Sequence, residues 1–232
     1  MKFYHPKLTL YWRICRNFLR ITAAKDVATN STPPSPSHKR KEKMTDFKTH
    51  TIESAPEESK ALLQNAQDAL QFLPNLYATM AEAPALLEGY KTLSGIFDKT
   101  SFSETERQVV LMTNNLLNGC AYCMSAHTAL SKMGGVSEEV IESLRAGTPI
   151  ADAKLEALRQ FAIVINETRG WPDHGDLEAF LNAGYTHKHV LEIIVGTALK
   201  VMSNYTNHIA VTDLDDAFKD VEWTKSNLQD AA

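Results

Sequence analysis

The sequence has little of what marks membrane proteins or disulfide-stabilised secreted domains. It contains no run of about 18 uncharged apolar residues, so it predicts no membrane span. Three cysteines in 232 residues are too few for a disulfide framework. Proline is sparse after position 85, so long helical segments can continue there with few breaks. The length suits one good-sized domain or two small ones.

Positive charge is scarce outside the N-terminal part of the chain. Residues 1–43 carry ten Lys or Arg and two acidic residues, whereas the remaining residues carry fourteen and twenty-six. An acidic body argues against a nucleic-acid-binding surface. We therefore expect no nucleic-acid partner and no membrane association, and we expect small molecules or other proteins as substrates.

Residues 1–43 differ from the rest of the chain, and we interpret them as a basic, disordered N-terminal extension. Their second half, "STPPSPSHKRKEK", cannot form a helix through its prolines and has almost nothing to bury. Three alternatives remain. The true start is Met44, or the Arg-rich and acid-poor residues 2–25 form a targeting presequence, or the segment is a basic arm that binds a membrane or nucleic acid. We expect a cytoplasmic protein, or an organelle-targeted one if the presequence alternative holds.

Apolar residues recur every three or four positions from Glu57 onward, which is the periodicity of amphipathic helices. No segment shows the sustained alternation and turn signals of a strand. Ser103 with Glu106 three positions later has the pattern of a capping box at a helix start, and "LDDAFKDVEW" is the last predicted helical segment. The sequence therefore predicts an all-α fold, with residues 44–232 forming a single helical domain.

The stretch "NGCAYCMSAH" concentrates reactive side chains. At a helix start, Cys120 and Cys123 share one face, and His127 lies one turn further along that face. A helix N-terminus favours thiolate, and a neighbouring imidazole can take the thiol proton. A dithiol with this spacing can cycle through a disulfide, with a sulfenic acid as the intermediate of peroxide reduction.

Two other interpretations of the same residues stay open. A zinc site would need a fourth ligand, for which His187, His189 and His208 are candidates. Alternatively, these are small buried residues beside a histidine with satisfied hydrogen bonds. Asn204 and His208, in "NYTNH", reach the dithiol if their helix packs against it, and otherwise form a structural hydrogen bond between helices.

The segment "SETERQVVLMTNNLLNGCAYCMSAH" resembles the core of the alkylhydroperoxidase D / carboxymuconolactone decarboxylase family, and "GYTHKHVLEIIVGTALKVMSNYTNHI" resembles that family's downstream helix. The resemblance implies an AhpD-like helical bundle that forms homo-trimers or homo-hexamers. It implies no metal, flavin or haem cofactor. Within it, Cys123 matches the peroxidatic cysteine, Cys120 the resolving cysteine and His127 the histidine of the proton relay.

The sequence departs from the family pattern at two positions. Gln108 stands where the best-known members have the relay glutamate, and a glutamine can hold hydrogen bonds but cannot act as a base. Tyr122 stands between the cysteines, where some members have histidine. We count Gln108, Tyr122, Asn204 and His208 as supporting residues of the predicted site.

The leading prediction is a thiol-dependent hydroperoxide reductase that uses the dithiol of Cys120 and Cys123. Its partners would be a hydroperoxide and a thiol or dithiol reductant, which in the best-known members of the family is a lipoyl-linked protein. One alternative is a carboxymuconolactone decarboxylase-like enzyme, whose chemistry does not need two cysteines. The other is a non-catalytic oligomeric protein whose cysteines sense redox state.

Overall fold

A computed structural model describes residues 47–224, so the interpretations of residues 1–43 and of Met44 lie outside the described residues. The described part contains no strand, and the predicted all-α class is confirmed. None of its helices is long and apolar enough to cross a membrane. The helices of residues 47–224 are α1 (Glu57–Leu70), α2 (Asn75–Met80), α3 (Pro84–Phe97), α4 (Glu104–Asn118), α5 (Ala121–Met133), α6 (Glu138–Ala146), α7 (Ala153–Glu167), α8 (His174–Asn182), α9 (His187–Ala210) and a 3-10 helix (Asp216–Val221).

Local signals place α4, the helix that precedes the dithiol. The predicted capping box is present, because Ser103 Oγ accepts from the backbone N–H of Glu106 at 3.3 Å and the Glu106 carboxylate accepts from the backbone N–H of Ser103 at 2.8 Å. The helix ends at Gly119, whose φ of 67° is left-handed. The chain passes from Gly119 directly into Cys120, the residue before α5.

The centre of α4 is buried on all sides, from Gln108 to Asn115. It packs against α5, α6, α7 and α9, so its side chains meet four other helices. Several of these side chains are amides or hydroxyls, and buried polar groups must find partners. The partners come from α5, α7 and α9, which ties the position of the dithiol to three neighbouring helices.

Gly196 lets α9 approach α3 and α4 closely. A Cβ atom at this position would lie 2.8 Å from Cζ of Phe97 and 2.8 Å from Cγ1 of Val110, which is closer than real Cβ contacts. Polar residues follow on the same buried face of α9, namely Lys200, Ser203, Asn204 and Asn207. The glycine therefore brings this polar face against α4, the helix that directly precedes the dithiol.

The segment "LDDAFKDVEW" differs from the expected α-helix, because it forms a 3-10 helix of six residues. Its preceding residue, Asp215, is fixed by distant groups: Oδ1 accepts from the backbone N–H of Asn75 at 3.0 Å, and Oδ2 accepts from the hydroxyl of Tyr122. These bonds anchor the start of the segment beside α2 and α5.

Candidate active site

The two cysteine side chains lie together in the interior. Cys120 is the N-cap of α5 and Cys123 lies in its first turn, and both are buried free thiols. Asn207 Nδ2 lies 3.1 Å from Cys123 Sγ and 3.8 Å from Cys120 Sγ. The backbone carbonyl of Cys123 accepts from Asn115 Nδ2 at 3.2 Å. The amide on α9 thus spans both sulfur atoms, and α4 fixes the turn that carries Cys123.

The surroundings shift the pKa values of the two thiols in opposite directions. Burial raises the pKa of Cys123, but four neighbours outweigh burial and lower that pKa to about 6. These neighbours are the Cys120 thiol, the positive charge of Lys200, and the side chains of Asn204 and Ser203. The pKa of Cys120 is raised well above its usual value, first by its hydrogen bond to Cys123 and then by burial. The arrangement favours a thiolate at Cys123 and a protonated thiol at Cys120.

His127 uses both ring nitrogens within a chain of hydrogen bonds. Lys200 Nζ lies 2.9 Å from Nε2, and since an ammonium group can only donate, Nε2 accepts. Nδ1 therefore carries the proton and donates to Gln108 Oε1 at 2.9 Å. Gln108 Nε2 donates in turn to Glu104 Oε1 at 2.9 Å.

The charge state of His127 agrees with this direction of donation. Burial and then the positive charge of Lys200 lower its pKa well below the usual value, so the imidazole is neutral. This series of hydrogen bonds ends at Glu104, which is a carboxylate because it forms an ion pair with Arg107 at 2.6 Å. Gln108 thus holds the histidine, and a glutamate stands one turn earlier on α4.

A cavity of about 460 Å³ is lined by Cys123, His127 and Lys200. The rest of its wall is mainly apolar and aromatic, including Phe72, Leu76, Tyr77, Tyr90, Leu130 and Phe218. Met133 also lines the cavity and is 83% exposed, so one side of the cavity reaches the surface. The cavity can take an apolar organic molecule and bring it to the Cys123 sulfur.

Tyr122 lies in this wall and also has a structural role. Its hydroxyl donates to Asp215 and accepts from the backbone N–H of Leu76 at 3.2 Å. Burial raises the pKa of Tyr122, so it remains a neutral donor. The residue between the cysteines therefore joins α5 to α2 and to the start of the 3-10 helix.

The two candidates in "NYTNH" lie in different places. Asn204 is buried, donates to Asn115 Oδ1 at 3.0 Å and accepts from Asn118 Nδ2 at 2.8 Å. His208 is exposed, whereas the preceding residue, Asn207, is buried against the sulfur atoms. Within residues 47–224, no group of three or more His, Cys, Asp or Glu side chains could hold a metal ion, as the zinc hypothesis would need.

A protein-family model matches the part of the chain that contains the dithiol. Residues 82–164 match the model of the carboxymuconolactone decarboxylase family, a segment that includes Gln108, both cysteines and His127. The resemblance to this family is confirmed over that segment. No curated protein sequence matches the chain.

Solved structures share the helical arrangement. An alkylhydroperoxidase AhpD core from Ralstonia eutropha JMP134, an uncharacterized peroxidase-related protein, superposes with a TM-score of 0.66 at 20% identity, covering 74% of this chain and 93% of that one. An uncharacterized peroxidase-related protein from Silicibacter sp. TM1040 gives 0.65 at 17% identity, covering 79% and 97%. The fold is AhpD-like. A cysteine-to-alanine variant of the debrominase Bmp8, in complex with 2,3,4-tribromopyrrole, gives 0.62 at 17% identity, covering 82% and 100%.

In this AhpD-like fold, sequence reasoning missed two residues of the site, both on α9. Lys200 and Asn207 lie beyond the matched segment and far along the chain from the dithiol. A signal was present, because Lys200, Ser203 and Asn207 continue the three-and-four spacing of Ile193 and Gly196 on one helix face. Polar residues in register with a buried stripe point to an interior polar site.

Proposed function

We propose that this protein reduces organic hydroperoxides with the dithiol of Cys120 and Cys123. The observation that carries the proposal is a pair of buried thiols that contact one amide and have pKa values shifted in opposite directions. The thiol with the lowered pKa, Cys123, also lines a mainly apolar cavity. A nucleophilic thiolate and a resolving thiol are the two groups that this chemistry needs.

The cycle has three steps. The Cys123 thiolate attacks one peroxide oxygen, the O–O bond breaks, and the alkoxide that leaves takes up a proton and becomes an alcohol. Cys123 is now a sulfenic acid. The Cys120 sulfur attacks the Cys123 sulfur, and the hydroxyl group leaves as water with the Cys120 proton. An external dithiol then reduces the disulfide and becomes a disulfide itself.

The lining of the cavity supports an apolar substrate. Its aromatic and aliphatic wall can bury an alkyl or aryl group of a hydroperoxide, while the O–O bond lies at Cys123. Hydrogen peroxide has no such group, so we expect it to react more slowly than cumene hydroperoxide. His127 positions the polar end of the site, because it joins Lys200 to Gln108.

Counting thiols tests this function directly. In a Cys15→Ser background, which leaves two cysteines, one equivalent of cumene hydroperoxide should remove both free thiols and yield an intramolecular disulfide visible by mass spectrometry. Cys120→Ser should stop at a sulfenic acid that dimedone traps, and Cys123→Ser should keep its remaining thiol. Unreactive thiols in the parent protein would overturn the proposal. Turnover of a lactone acid by a variant without cysteines would favour the decarboxylase-like alternative instead.

A further inference from the structure

Lys200 is a buried ammonium group without a carboxylate partner among the residues that the structure describes. It is 1% exposed, and no ion pair within residues 47–224 includes it. A buried charge is costly unless an opposite charge or strong hydrogen bonds compensate it. The neighbouring group that can supply a negative charge is the Cys123 sulfur, which lines the same cavity.

We propose that Lys200 is a catalytic residue with two tasks, acting as counter-ion of the Cys123 thiolate and as proton donor to the peroxide oxygen that leaves. The proposal rests on the function proposed above. Its geometric basis is that Lys200 lines the cavity beside Cys123 and His127, with Nζ held 2.9 Å from His127 Nε2. A neutral imidazole acceptor fixes the ammonium group without neutralising it.

The other acidic groups at this cavity are poorer donors. His127 directs its single ring proton at Gln108, away from Lys200, and its Nε2 has no proton to give. The Tyr122 hydroxyl already donates to Asp215. Burial raises the pKa of Tyr77, and it raises the pKa of Tyr90 well above its usual value, so both phenols hold their protons tightly. Lys200 is therefore the group best placed to give up a proton.

The proton balance closes without any further acid. When the S–O bond forms and the O–O bond breaks, Nζ passes a proton to the leaving alkoxide, and Lys200 becomes a neutral amine. Disulfide formation then releases water with the Cys120 proton. The external dithiol delivers two protons, one to each cysteine, and the Cys123 thiol returns its proton to Lys200. The ammonium–thiolate pair is thereby restored.

Two substitutions separate the two tasks. Lys200→Met removes the charge and the proton but keeps an apolar stem of similar length, which a buried site tolerates. Lys200→Arg keeps the charge but is a very weak acid, because a guanidinium group is not deprotonated in proteins. Lys188→Met is the matched control, since Lys188 lies on the same helix, exposed and paired with Glu192. Far-ultraviolet circular dichroism verifies folding.

Thiolate absorbance at 240 nm, followed against pH in the Cys15→Ser background, tests the counter-ion role without any peroxide. We expect Lys200→Met to raise the midpoint of the Cys123 titration by about one pH unit or more. Lys200→Arg and Lys188→Met should leave the midpoint close to that of the parent. An unchanged midpoint in folded Lys200→Met would overturn the counter-ion role.

The leaving group tests the proton-donor role. Tert-butyl hydroperoxide expels a strongly basic alkoxide, whereas peracetic acid expels acetate, which needs no proton. At a pH where every variant is fully thiolate, Lys200→Met and Lys200→Arg should slow thiol loss with tert-butyl hydroperoxide by roughly 10²- to 10⁴-fold, and far less with peracetic acid. Equal slowing with both oxidants would overturn the donor role. If the parent reacts with neither oxidant, the proposed function and the donor role both fall, while the titration still decides the counter-ion role.

Discussion

The side-chain nitrogen of Asn207 lies 3.1 Å from Sγ of Cys123 and 3.8 Å from Sγ of Cys120. One amide near the end of α9 thus contacts both members of a dithiol at the start of α5. A hydrogen bond from an N–H group stabilises a thiolate more than a thiol, because charge strengthens the bond. The closer contact to Cys123 favours the negative charge on that sulfur.

Removing this amide should weaken the nucleophile. We expect Asn207→Leu, which has a similar shape and no donor, to raise the pKa of Cys123 by about one pH unit, in line with about 1.5 kcal/mol for a hydrogen bond to a charged group. Alkylation by iodoacetamide at pH 5, below the parent's pKa of about 6, should then slow about tenfold. His208→Leu is the matched control, because His208 is adjacent and exposed. Equal rates for Asn207→Leu and the parent would mean that the contact does not stabilise the thiolate.

The acidity of Cys123 predicts a characteristic pH profile. Since its pKa is lowered to about 6, alkylation of Cys123 should reach half its maximal rate near pH 6 and level off by about pH 8. An ordinary cysteine would still be accelerating there. A midpoint above pH 8 in the Cys15→Ser background would contradict the lowered pKa. Cys123→Ser, which leaves Cys120 alone, shows how much of the signal belongs to the other thiol.

The same pKa links Cys123 to stability. Its folded value of about 6 lies below the ordinary value of 9.0, so ionisation stabilises the folded state. This contribution is complete above about pH 9 and disappears as the pH falls through about 6. The thermal midpoint of the parent, measured by calorimetry, should therefore rise relative to that of Cys123→Ser when the pH is raised from 6 to 9. A difference independent of pH would contradict the linkage.

Much of the fold and half of the site were predictable because their signals are local. The capping box of Ser103 and Glu106 and the face shared by Cys120, Cys123 and His127 depend on neighbours within one or two helical turns. The hydrogen bond from Gln108 to Glu104 is also local, because it joins two residues four positions apart on α4. That spacing is visible in the sequence and could have predicted the bond.

The other half of the site depends on tertiary packing. Lys200 lies 73 positions from His127, and Asn207 lies 84 positions from Cys123, so their contacts follow from how α9 crosses α4 and α5. That crossing depends on the close approach at Gly196, which no local pattern specifies. Of the two candidates predicted in "NYTNH", His208 is exposed, and its unpredicted neighbour Asn207, one position earlier on the helix, contacts the sulfur atoms.

Gly196 itself gives a stability prediction. A Cβ at this position would meet Phe97 and Val110 at 2.8 Å, so Gly196→Ala should displace α9 and lower the free energy of unfolding by about 1–3 kcal/mol. The displacement should also lower the thiolate fraction at Cys123. Gly95→Ala is the matched control, because a Cβ there meets no atom within 4 Å and alanine favours a helix interior. Urea denaturation of both variants checks the pair, and equal stabilities would contradict the close approach.

The outer face of α9 carries an exposed apolar stripe. Its members recur at intervals of three or four residues, the spacing of a helix-packing seam. They are Leu191, Ile194, Ala198, Val201, Tyr205 and Ile209. No charged residue interrupts the stripe, which follows a helix of 24 residues, or about 36 Å. We expect a second copy of this chain to cover it, because a seam with this spacing can pack against its own counterpart through a symmetry axis.

The family resemblance implies a homo-oligomer, and we expect the stripe on α9 to be the surface through which it forms. The double variant Ile194→Glu, Val201→Glu places two carboxylates in the stripe and should convert the assembly to monomers, because like charges would face each other without water. Light scattering coupled to size-exclusion chromatography measures the mass, and circular dichroism verifies the helices. Ile96→Glu is the matched control, since Ile96 is a half-exposed isoleucine on α3 and does not belong to the stripe. A parent protein that is monomeric at micromolar concentration, or a double variant that keeps the parent's mass, would mean that α9 does not mediate self-association.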